Sequence, residues 1–152
     1  MTHPRERPKT ELERHYRALS LEERMRLALC EDLPDGYREL ILRKEQWMHV
    51  RVYFARRVDL RPQEVEALLG DADHVIRLCI AKRHDLTSAQ VACCVEDVDP
   101  NVRYFIARNP LLTDAQRQRL MVDGDPMVRR AAAKGPRAME VRQRPGQARL
   151  VR

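Results

Sequence analysis

"LTSAQVACCVEDVDPNVRYFIARNPL" occupies residues 86–111, and "LTDAQRQRLMVDGDPMVRRAAAKGPR" follows at once at 112–137. The two align without a gap through leucine, threonine, glutamine, aspartate, proline, arginine and alanine columns. Upstream, "LRPQEVEALLGDADHVIRLCIAKRHD" at 60–85 keeps the register. Leu60, Leu86 and Leu112 stand 26 residues apart, as do Asp71, Asp97 and Asp123, then Asp73, Asp99 and Asp125, and Arg77, Arg103 and Arg129. A diverged unit, "PDGYRELILRKEQWMHVRVYFARRVD" at 34–59, keeps Val50-Arg51 and Ala55 but has Glu45 and Trp47 in the aspartate columns. A fixed period of this length is the mark of stacked repeats.

Local signals split each unit into two short helices. Thr87 and Thr113 can cap the first, with Gln90 and Gln116 reaching back as in a capping box. Asp99 and Asp125 can cap the second, with Pro100 and Pro126 at the first helical position, where a missing N–H costs nothing. Pro110 and Pro136 stop it, and Asn109 or Gly135 suits a helix end. Val50, Ile76, Val102 and Val128 pair at i+4 with Phe54, Ile80, Ile106 and Ala132 to make an inward face. Leu42, Leu68, Cys94 and Leu120 make a second, and the Ala55, Ala81, Ala107 and Ala133 column predicts close helix approach. A single unit cannot bury such faces; stacking can.

The remaining chain frames this array. Residues 10–33 carry two capping-box signals, "TELE" and "SLEE", and read as an N-terminal helical cap. Residues 1–9 and 138–152 lack a sustained apolar face, the latter containing Pro145-Gly146, and read as flexible termini. The units are therefore 34–59, 60–85, 86–111 and 112–137. With 152 residues, 43% hydrophobic and 34% charged, the chain is globular in composition, and 5% aromatics with five glycines favour an all-α fold.

The net charge of +6 is uneven. Residues 1–9 and 137–152 hold eight basic and two acidic side chains, whereas 34–136 hold 17 basic and 15 acidic ones. A polyanion-binding body is not what this distribution favours. No stretch is long and apolar enough for a membrane span, and "MTHPRERPKT" lacks the apolar core of a secretory signal. The four cysteines, Cys30, Cys79, Cys93 and Cys94, show no disulfide framework, which suggests a reducing, cytoplasmic setting.

The run "LT..Q...L..D.DP.VR...A.NP" resembles the leucine-rich repeat variant (LRV) motif, a relative of HEAT-like helical repeats, over roughly two thirds of the chain. The resemblance implies a right-handed α-solenoid of paired short helices, one of which can be 3₁₀, in a family whose units are usually a little shorter. Some members carry an N-terminal iron–sulfur cluster; here only Cys30 lies in that region, so no cluster is carried over. Such repeats mainly bind other macromolecules, and the fold does not name the partner.

Four features bear on function. The column Arg51, Arg77, Arg103 and Arg129 either pairs with Asp71, Asp97 and Asp123 as an inter-repeat ladder or grips phosphates and acidic segments. A second column, Arg56, Lys82, Arg108 and Lys134, suits helix C-termini; with Arg57 and Arg83 beside it, it forms a candidate exposed ridge. Among aromatics, Phe54 falls inward, Tyr53 and Phe105 share a packed column, and Tyr104 shares a partly exposed column with Val52 and Leu78. The cysteines and five histidines show no metal-ligand spacing, so buried thiols and no metal are expected. No nucleophile elbow, P-loop or dinucleotide fingerprint is present, and the acids recur as caps. The expectation is a non-enzymatic protein-interaction scaffold without cofactor. It would engage an acidic segment of another protein through Arg56, Arg57, Lys82, Arg83, Tyr104, Arg108 and Lys134. The alternative is a nucleic-acid-binding HEAT-like protein using the ridge and the arginine-rich tail; a base-repair enzyme would require one indispensable Asp or Glu.

Overall fold

The computed structural model describes residues 9–152. Apart from Lys9, the N-terminal segment expected to be flexible lies outside them. In chain order the helices are α1 (Glu11–Ala18), α2 (Leu21–Leu29), α3 (Asp35–Lys44), α4 (Met48–Ala55), α5 (Pro62–Leu69), α6 (His74–Ala81), α7 (Ser88–Val95), α8 (Pro100–Ala107), α9 (Asp114–Leu120) and α10 (Pro126–Lys134). A two-stranded antiparallel ribbon follows, β1 (Val141–Arg142) with β2 (Leu150–Val151). The fold is all-α apart from this ribbon.

Helices of 7–10 residues are marginal alone, so caps and stacking must hold them. The caps match the sequence signals. Thr87 and Thr113 close reciprocal capping boxes with Gln90 and Gln116, and Ser20 does so with Glu23. Asp73, Asp99 and Asp125 accept from the N–H groups at the starts of α6, α8 and α10. Thr10 caps α1, but Glu13 reaches one residue further back, to the Lys9 N–H at 2.9 Å. At the other ends, Gly135 has φ +80°, the left-handed region that glycine suits. Asn109 keeps a negative φ and spends its side chain on tertiary contacts instead.

The even-numbered helices pack in sequence, α2 on α4, α4 on α6, α6 on α8 and α8 on α10. The odd-numbered helices form the other row, with α1 against α3, α3 against α5 and α7 against α9. The 10–33 pair thus continues both rows. Val50, Ile76, Val102 and Val128 are fully buried, and so are Ala55, Ala81 and Ala107, where helices meet closely. Ala133, in the same column, is exposed because no described helix stacks beyond α10. Met121 is 43% exposed while Leu69 and Val95, its counterparts, are buried, for the same reason. Leu68, Cys94 and Leu120 are buried as expected, but in the diverged unit Ile41 is deeper than Leu42.

The arginine column forms a ladder. Arg77 donates to both Asp97 oxygens (2.8 and 3.0 Å) and Arg103 to both Asp123 oxygens (2.9 and 3.2 Å). Arg51 pairs with Asp71. The opposite guanidinium edge holds a carbonyl of its own unit, Asp71 for Arg77 and Asp97 for Arg103. Arg129 holds the carbonyls of Asp123 and Gly124 and ends the series. At the N-terminal boundary Glu45 takes the aspartate's place: it accepts from the Gln46 and Trp47 N–H groups (2.8 and 2.9 Å), from Arg24 and from the Tyr16 hydroxyl. Trp47 stays 40% exposed, with the Arg24 guanidinium 4.3 Å over its ring.

The C-terminal segment is not a loose tail. Pro145-Gly146 forms a turn closed by the Gln147 N–H donating to Arg144 O, with Gly146 at φ +75°. Beyond the turn the chain runs across the ends of α2 and α4. Ala148 N–H donates to Leu29 O (2.8 Å), Val58 N–H to Arg149 O (2.9 Å) and Val151 N–H to Arg56 O (2.7 Å). Ala148, Leu150 and Val151 are buried there. The expected flexibility of 138–152 is corrected by this: three apolar side chains and a shared backbone edge tie the segment down. No helix among the described residues is long and apolar enough to cross a membrane.

Candidate binding cleft

The helix C-cap column is not a uniform ridge. Arg56 is half-buried and its Nε donates to Val151 O at 2.7 Å, so the C-terminal strand covers it. Arg108 donates through Nη1 to Gly135 O (2.6 Å), and its own carbonyl accepts from Arg137 N–H (2.7 Å). Lys134 is exposed at the end of the array. Lys82 lies half-buried with its ammonium 4.2 Å over the Phe105 ring, a cation–π contact. Tyr104 is half-buried, in keeping with its partly exposed column, and meets Phe105 edge-on at 5.1 Å.

Arg57 and Arg83 are not on the surface at all. Arg57 is 0% exposed and donates to the carbonyls of Ala28 (2.8 Å), Cys30 (2.7 Å) and Glu31 (3.2 Å), and bidentately to Asp59. Arg83 is 2% exposed and donates to the carbonyls of Arg57 and Val58 and bidentately to Asp85. Asn109, next in the column, donates to Ala81 O and Arg83 O. These side chains satisfy the carbonyls of the preceding unit's turn, a task that needs several donors in one plane, which arginine supplies. Their place on an exposed ridge is therefore corrected.

A cleft of about 70 Å³ lies between the ends of α6 and α8 and the C-terminal ribbon. That is room for several waters or one side-chain-sized group. Lys82, Arg108, Arg137 and Arg152 line it with His84, Phe105 and Met139, against one acidic side chain, Glu140. Glu140 is engaged by Arg137 at 3.0 Å and Arg152 at 3.8 Å. Lys82 has no carboxylate partner among the described residues. Burial holds its ammonium below the ordinary lysine range, and the nearby Arg56 and Arg137 add to that against Cys79. Burial likewise lowers His84, opposed by Asp85. An incoming anion would relieve the stress on Lys82.

Of the residues expected to bind, the cleft unites Lys82 and Arg108; Arg56, Tyr104 and Lys134 lie outside its lining, and Arg57 and Arg83 are in the interior. Arg137, Glu140 and Arg152 were not singled out by sequence, since the wall they form depends on the C-terminal segment folding back, whereas Phe105, read as packed, lines the cleft from α8. The four cysteines are free, with Cys79 and Cys94 buried. Among the described residues no group of three His, Cys, Asp or Glu side chains is placed to hold a metal. Comparison with family models, curated proteins and solved structures finds no match for this chain.

Proposed function

We propose that this chain is a non-enzymatic protein-interaction scaffold that binds an acidic segment of another protein at the cleft. In this reading the two helix rows are a right-handed α-solenoid of the leucine-rich repeat variant kind, with about four 26-residue units behind an N-terminal helical pair, working in the cytoplasm. One observation carries the reading: Lys82, without a carboxylate partner among the described residues, lines a recess with three arginines and one acidic side chain, Glu140. A cation beside an aromatic ring in a partly desolvated recess suits a carboxylate flanked by apolar atoms.

A nucleic-acid surface would need cations in a line matched to a phosphate backbone. Burial of Arg57 and Arg83, and the engagement of Arg77 and Arg103 by aspartates, withdraw four such cations. The protein partner is therefore favoured. Affinity capture from host lysate, with wild-type and Lys82→Glu/Arg108→Glu baits and with or without nuclease, tests it. A discrete protein that survives nuclease and is lost on the charge-reversed bait is expected. Capture that vanishes with nuclease would overturn it.

A further inference from the structure

The C-terminal strand shows how an extended chain sits on the edge of this array. At the end of α4, Arg56 C=O accepts from Val151 and Val58 N–H donates to Arg149 O, so that Leu150 faces Arg57 in an antiparallel bridge. A similar bridge joins Cys30 and Gln147 one unit earlier.

One unit later, the corresponding groups are Lys82 C=O and His84 N–H. The local backbone is the same: φ and ψ are −86° and −5° at Arg56, and −80° and −10° at Lys82. The next N–H folds back alike, Arg57 to Phe54 O at 3.1 Å and Arg83 to Ile80 O at 3.0 Å. Between the two groups Arg83 is fixed in the interior as Arg57 is. Yet neither Lys82 C=O nor His84 N–H has a hydrogen-bond partner among the described residues, and both residues line the cleft. Further units cannot offer the same pair. Arg108 C=O is taken by Arg137 N–H, and Pro110 and Pro136 stand where the donor would be, with no N–H to give.

We propose that the Lys82–His84 edge receives one extended segment of a partner polypeptide, paired antiparallel through Lys82 C=O and His84 N–H. Acidic side chains two residues apart, and so on one face of that segment, meet Lys82, Arg108 and Arg137. The proposal rests on the cleft being a protein-binding site and adds how the partner lies in it. Backbone pairing supplies the register and alternate side chains the selectivity, as in strand addition to a sheet edge.

The probe is a short blocked peptide alternating Glu and Val, titrated into the ¹⁵N-labelled full chain and followed by NMR. Saturable binding should shift the His84 amide and slow its hydrogen exchange. N-methylating the peptide backbone should weaken binding by roughly fivefold to tenfold, the value of about one lost hydrogen bond. Lack of saturable binding, equal binding of the N-methylated peptide, or an equal His84 shift with a DNA oligonucleotide would each overturn the proposal. If a partner is captured through Lys82 and Arg108 while the His84 amide stays unmoved, strand pairing fails and the scaffold reading stands.

Discussion

Arg83 Nη1 donates to the backbone carbonyl of Arg57 at 2.6 Å, and the two residues are 26 apart, one repeat period. This contact belongs to an interior ladder of Arg57, Arg83 and Asn109, each reaching into the turn of the preceding unit. Arg83→Met should cost about 2–4 kcal/mol, because it strands the Arg57 and Val58 carbonyls and removes hydrogen bonds from a charged donor. Asn109→Ala should cost less, about 1–3 kcal/mol, since no charge is involved. Urea denaturation of both variants against the wild type measures the difference. A change at Arg83 no larger than that of an exposed arginine would contradict the ladder's structural role.

The outer ladder makes stability depend on acid. Burial pushes the Asp97 and Asp123 carboxyls up, but hydrogen bonds from Arg77 or Arg103 and from the Asp99 or Asp125 N–H outweigh it and hold both below the ordinary 3.8. A carboxyl lowered in the folded state contributes stability that is present above its unfolded value and lost as pH falls through the folded one. The melting temperature should therefore drop as pH falls from about 4 downward. Asp97→Asn/Asp123→Asn should start lower at neutral pH and show a flatter acid limb. Thermal melts across pH compare the two profiles.

The C-terminal segment should behave as folded structure. Limited trypsin digestion should spare the bonds after Arg142 and Arg149 under conditions that cleave a disordered chain, since cleavage there requires local opening. Leu150→Ala should expose them and destabilise the chain by about 2 kcal/mol, the low end of the cost for a buried leucine at an edge that can relax.

Thiol reactivity should follow burial. Cys94 is pushed up to about 12 by burial, with Cys93 and Asp97 adding, and Cys79 is pushed up by burial. Cys93 is exposed. A thiolate-selective alkylating agent at neutral pH should modify Cys93 first and reach Cys79 and Cys94 only on unfolding. Mass spectrometry of the labelled chain reads the order.

The helices were legible because the signals that make them are local and repeat: Thr87 with Gln90, Asp99 with Pro100, and Val102 with Ile106. The interior arginine ladder was not, because an arginine column ordinarily marks solvent. Its clues were the aspartates two residues on, Asp59 and Asp85, and the uncharged Asn109 in the same column, which no binding ridge would need. The C-terminal ribbon escaped for a different reason. Strands of two residues carry no readable periodicity, and their main partner is the end of α4, about 95 residues earlier. Pro145-Gly146 was the available signal, a turn mark as much as a flexible one. Since the cleft's far wall is that ribbon, only half of the site, Lys82 and Arg108, could be found from sequence.

In the proposed function, the cleft selects an acidic polypeptide segment. Its most direct test is fluorescence anisotropy with a labelled Glu-rich peptide and a single-stranded DNA of equal charge, using wild type and Lys82→Glu/Arg108→Glu at about 50 and 200 mM salt. The peptide should outbind the DNA at the higher salt and lose at least about tenfold in affinity on charge reversal, from two charge-assisted contacts. Tighter binding of the DNA, or peptide binding indifferent to Lys82 and Arg108, would contradict it.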